Sequence, residues 1–117
     1  MSELIINPVN KEWLTGVLNS LGHTADEVAA TLRAAGITGK RRNGVQCPTA
    51  LYARAKAKER VPSASRVGVW VGWEAIWVRI CRADRKDLVC VERPQAVSDF
   101  IEAFDSGSDY SDLLDDA

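Results

Sequence analysis

The sequence predicts a mixed α+β domain in which about four helices, three N-terminal and one C-terminal, pack on a three-stranded antiparallel β-meander. Two changes of rhythm carry this reading. Apolar residues recur at helical spacing before residue 60 and again after 96, whereas between 67 and 91 they alternate with a period of two. Proline and glycine mark the boundaries, and 117 residues are enough for one core without metal or disulfide support.

Asn10 is placed to cap a first helix whose Trp13, Leu14, Val17, Leu18 and Leu21 share a face, and Gly22 stops it. Thr24 followed by Glu27 is a capping-box pattern, opening a second helix through Val28, Leu32 and Ala35 that ends at Gly36. Residues 38–44 read as an exposed basic loop with a tight Asn43-Gly44 turn. Pro48 suits the first turn of a third helix running to about Lys58. Leu51, Tyr52 and Ala55 are its expected inner side, and Arg54, Lys56, Lys58 and Arg60 its outer side.

Beyond the breaker at 62–65, Val67, Val69 and Val71 alternate with Gly68, Trp70 and Gly72, and Ile76, Val78 and Ile80 alternate with Trp77, Arg79 and Cys81. A turn around Trp73 and Glu74 sets Val71 against Ile76, Val69 against Val78 and Val67 against Ile80, a continuous apolar face. The other face then carries Trp70 opposite Trp77, with Cys81 and Cys90 expected as diagonal neighbours. A polar turn from Arg82 to Asp87 leads to the third strand, Leu88 to Glu92. Three strands need a helical layer. With four helices to place, burial of the two tryptophans is favoured over an open platform. Pro94 opens the last helix, with Val97, Phe100, Ile101 and Phe104 inward and Gly107 at its end. Residues 1–107 thus form a single α+β domain, followed by an acidic, flexible tail over 108–117.

The N-terminus lacks a basic region followed by a long apolar stretch, and no run reaches the ~18 apolar residues of a membrane span, so a cytoplasmic protein is expected. Three widely spaced cysteines, Cys47, Cys81 and Cys90, make no disulfide framework and offer no C-x-x-C pair for zinc. The single histidine, His23, falls between two helices, and neither G-x-S-x-G nor a phosphate-loop pattern occurs. The expectation is a non-enzymatic protein with no catalytic residues, no metal and no cofactor.

Charge is the most informative feature. Residues 33–60 hold eight basic side chains and one acidic, whereas 92–117 hold eight acidic and one basic, within a net charge of −1. Either the basic stretch meets an anionic partner or the two ends pair internally, two readings of equal weight. In the first, Lys40, Arg41, Arg42, Arg54, Lys56, Lys58 and Arg60 contact phosphates. A different interface, suited to a protein partner, is offered by Trp70 and Trp77, flanked by glycine.

The run Glu27-Val28-Ala29, Leu32, Ala35-Gly36-Ile37-Thr38, Gly44 and Pro48-Thr49 resembles the DNA-contacting helix-loop-helix of the large serine recombinases over residues 26–57. It departs from that pattern in having Gln46-Cys47 where a tryptophan is usual, and no resolvase domain accompanies it. The resemblance implies DNA contact but not recombination. Residues 24–107, with the Arg41-Arg42 loop, Cys47-Pro48 and Ala103-Phe104-Asp105, are also similar to small uncharacterised α+β proteins of actinobacteria and their phages. That resemblance implies one compact fold. The reading is a small binding or regulatory protein for nucleic acid. Its alternative is a protein-interaction adaptor or inhibitor, phage-encoded and aimed at a host protein, that uses the tryptophan face or the acidic tail.

Overall fold

A computed structural model describes residues 9–115; the N-terminal stretch 1–8, where the leader was sought, and the last two residues of the tail lie outside it. Among the described residues the order is α1 (Lys11–Asn19), α2 (Ala25–Ala34), α3 (Pro48–Arg60), β1 (Arg66–Val71), β2 (Ala75–Cys81), β3 (Lys86–Glu92) and α4 (Gln95–Ser106). This is the α+β arrangement of four helices and one antiparallel sheet, ordered β1-β2-β3. None of these helices is long and apolar enough to cross a membrane.

The predicted caps form. Asn10 Oδ1 accepts from the Trp13 N–H at 2.8 Å. Thr24 Oγ1 accepts from the Glu27 N–H at 3.1 Å, and the Glu27 carboxylate reaches back to the His23 N–H at 2.7 Å, one residue before the cap itself. Gly107 ends α4 in the left-handed region, with φ 81°.

Helix α3 turns differently from expectation. Its buried side holds Thr49, Ala50, Tyr52, Ala53 and Ala57, while Ala55 is exposed and Leu51 only half-buried. The helix packs against β1. Alanines at 50, 53 and 57 put their small side chains on that side, which permits a close backbone approach, and the bulkier Leu51 falls to the flank.

The hairpin register is the predicted one: Val67 faces Ile80, Val69 faces Val78, Val71 faces Ile76, and Trp70 faces Trp77. Cys90 pairs with Trp77, four residues from Cys81, so the two cysteines share a face without being diagonal neighbours. The valine and isoleucine face enters one core together with Leu14, Leu18, Val28, Leu32, Phe100 and Phe104. Burial of a side chain such as Phe100 is worth about 1.5–3 kcal/mol. Trp70 and Trp77 stay out of this core and stand half-buried on the opposite face, contrary to the preference for burial. The reason is that the helices layer on one side of the sheet only.

Residues 108–115, read from composition as a flexible tail, are packed. Tyr110 lies 5.1 Å from the Phe100 ring, and Leu113 is 2% exposed in a short turn of 3-10 helix over Ser111–Leu113. The Gly39 N–H donates to the Leu113 carbonyl at 2.8 Å and the Asp115 N–H to the Gly39 carbonyl at 2.7 Å, a parallel bridge. A few apolar side chains among the aspartates are sufficient anchors.

Candidate nucleic-acid interface

The basic stretch divides in two. Its first part is not the exposed loop expected: Gly39 is buried, and Lys40 and Arg41 are half-buried. The left-handed residue of the turn is Arg42, at φ 52°, rather than Gly44, and the Asn43 side chain accepts from the Val45 and Gln46 N–H groups. Arg41 Nε donates to the Phe104 carbonyl at 2.7 Å, with its guanidinium 5.5 Å from the Phe104 ring centre. The Arg42 N–H donates to the Asp105 carboxylate and Arg42 Nη1 to the Asp105 carbonyl, both at 2.9 Å. These two arginines therefore sit on the negative end of α4, where cations are stabilising.

The tail completes this internal pairing. Lys40 Nζ donates to the Asp115 carbonyl at 3.3 Å, and Arg33 makes a two-point pair with Asp112. Arg33 holds the Asp112 carboxyl below its ordinary range, and the same hydrogen bond raises the guanidinium. Beside them Tyr110 donates to Asp26 at 2.6 Å, which with burial pushes its phenol up to about 12.

The second part is oriented outward. Arg54 and Lys58, one helical turn apart on α3, join Arg66 of β1 around a 370 Å³ cleft floored by Val61 and Val67, with Pro62, Ala64 and Ser65 completing its lining. Three cations and no carboxylate line it. Arg54 Nε donates to the Val67 carbonyl at 3.2 Å, which fixes that guanidinium while covering an edge of β1. The Lys58 and Arg66 side chains have no hydrogen-bond or ion-pair partner among the described residues. Lys56 instead lies over the Tyr52 ring at 5.4 Å, with Glu59 4.0 Å away, and Arg60 is exposed and has a partner of its own.

Arg66 and Arg79 were missed in the reading of the charge run because they lie outside it. The alternation of the strands contained the signal: positions 66, 68 and 70 of β1 share a face with 77, 79 and 81 of β2. That outward face carries the Trp70–Trp77 pair, its rings stacked with centres 5.6 Å apart and planes 5° from parallel.

A larger cleft, of 730 Å³, opens between the 42–47 loop, the β1–β2 turn and the end of α4. Its cations are engaged. Arg93 Nη1 donates to the carbonyls of Gly72 and Trp73 at 2.8 and 3.0 Å, and Arg42 is held by Asp105. Trp73 at its mouth is 92% exposed. Cys47 in its wall caps α3, and burial pushes that thiol up, away from the reactive thiolate. His23 is exposed, and among the described residues no three His, Cys, Asp or Glu side chains converge as metal ligands.

No family model matches the chain, and comparison with curated proteins and with solved structures returned no match.

Proposed function

We propose that this protein is a small non-enzymatic binding protein for nucleic acid, with Arg54, Lys58 and Arg66 as its phosphate-contacting group. One observation carries the reading: the cleft between α3 and β1 is lined by three cations and no carboxylate, although the chain as a whole is slightly acidic. The acidic segment that might have neutralised them packs against Arg33, Lys40 and Arg42 instead. Ser65 and the arginine guanidinium groups add hydrogen-bond donors of the kind phosphate oxygens accept. Contacts of this type supply affinity without base sequence.

The test is fluorescence anisotropy of labelled DNA and RNA, single- and double-stranded, across a salt series. Log affinity is expected to fall linearly with log salt, with a slope of roughly −2 to −3 for three phosphates. Absence of binding to all four probes at low salt refutes the reading.

A second reading, docking on a protein, is favoured by Trp73, 92% exposed above the 730 Å³ cleft, with Val45 54% exposed on the neighbouring loop. Under it Trp73→Ala abolishes capture of the partner while salt-dependent nucleic-acid binding is absent.

A further inference from the structure

The outward sheet face adds two indole rings to the basic cleft. We propose that the nucleic acid held at the cleft is single-stranded and crosses this face, its bases stacking on Trp77 and Trp70. The inference rests on the phosphate-binding reading above and adds the strandedness of the ligand.

Continuity of the surface is the first support. Arg66 belongs to both features: it lines the cleft, and by alternation it shares the outward face with Gly68 and Trp70. From Arg66 to Trp70 is about 13 Å of strand. Between them Gly68 leaves the sheet bare, since a Cβ built there meets nothing within 4 Å. Arg79 stands beside that gap, paired across to Gly68. A strand leaving the cleft thus meets a cation and an open stretch of backbone before it reaches the rings.

The rings themselves are the second. They lie outside the core and are half-buried, which leaves part of each accessible. Their near-parallel stacking, 5° between planes, fixes their orientation, and the residue paired with Trp77 on β3 is Cys90, a small neighbour. Bases stack on aromatic rings of this kind regardless of sequence, and a groove that tracks phosphates next to them is the usual companion.

Charge gives the third. Arg66, Arg79 and Lys86 stand on this face against one carboxylate, Glu92, at its far end. Duplex DNA would satisfy the cations, but its paired bases are already stacked on one another, so the indoles would contribute nothing. A single strand offers phosphate oxygens and free base faces together.

The experiment uses the full chain with Trp13→Phe and Trp73→Phe, so that indole emission reports positions 70 and 77. Three probes are titrated: an oligothymidylate of about fifteen nucleotides, an abasic phosphodiester of the same length, and a duplex of the same length. The oligothymidylate is expected to bind on the order of tenfold tighter than the abasic strand and to quench the emission. Trp77→Leu, which retains an apolar side chain, removes that preference and leaves the salt-dependent residue of binding. Equal affinity for oligothymidylate and abasic strand, or tighter duplex binding, with no quenching, overturns the single-strand inference and leaves the phosphate reading standing. No binding of any of the three overturns both.

Discussion

The segments 33–42 and 54–66 are both strongly basic, yet they meet different fates. Arg33, Lys40, Arg41 and Arg42 are taken up by the end of α4 and by the residues that follow it, through Asp112, the Asp115 carbonyl, the Phe104 carbonyl and Asp105. Arg54, Lys58 and Arg66 surround a cleft that lacks any carboxylate. The difference is one of position. The first segment crosses the C-terminal end of a helix, where carbonyls without helical partners attract cations, and the second lies on the far half of α3, out of reach of the tail. Charge density along a sequence therefore identifies a binding surface only after the chain's own acceptors have been assigned.

Breaking the internal half affects stability most. Leu113→Ala removes a side chain only 2% exposed and is expected to cost about 2–5 kcal/mol, read by chemical denaturation, with anion binding retained wherever the protein remains folded. Arg41→Ala combined with Arg42→Ala loses charge-assisted bonds to the end of α4 and is expected to cost about 1–3 kcal/mol. In the outward half the ordering reverses: Lys58→Ala and Arg66→Ala should each leave stability within about 0.5 kcal/mol and reduce the salt slope by about one.

These effects explain what was legible beforehand. The hairpin register followed from alternation because a one-residue slip would have turned every valine outward, and it holds pair for pair. The helix caps were legible for a similar local reason. The inner face of α3 was not, because alanine gives little amphipathic contrast and the packing against β1 decides which alanines are buried. Composition misled for the tail, since eight acidic residues in 92–117 conceal the anchoring by Tyr110 and Leu113. The division of the basic stretch depended on contacts more than sixty residues apart in sequence, such as Arg41 with Phe104, which no local pattern encodes. The outward site was half legible: alternation placed Trp70 and Trp77 on one face, but the side chosen by the helices could not be read from it.

The smallest effects are pH-dependent and sharpen the description of the internal half. Because Asp112 is lowered in the folded state, its contribution is present above the unfolded value and is lost as pH falls through the folded one, so Asp112→Asn should flatten the acid limb of stability. Tyr110 is raised from 10 to about 12, so its contribution is complete below pH 10 and disappears as pH rises toward 12. Phenolate absorbance in a Tyr52→Phe background should show the high midpoint, and Asp26→Asn should bring it down.

The division of the basic stretch is tested most directly by comparing the salt slopes of two double variants on one single-stranded probe. Arg41→Ala with Arg42→Ala is expected to keep the wild-type slope, and Lys58→Ala with Arg66→Ala to reduce its magnitude by about two. The opposite pattern, a slope that collapses in the first and persists in the second, would contradict the assignment of the two halves.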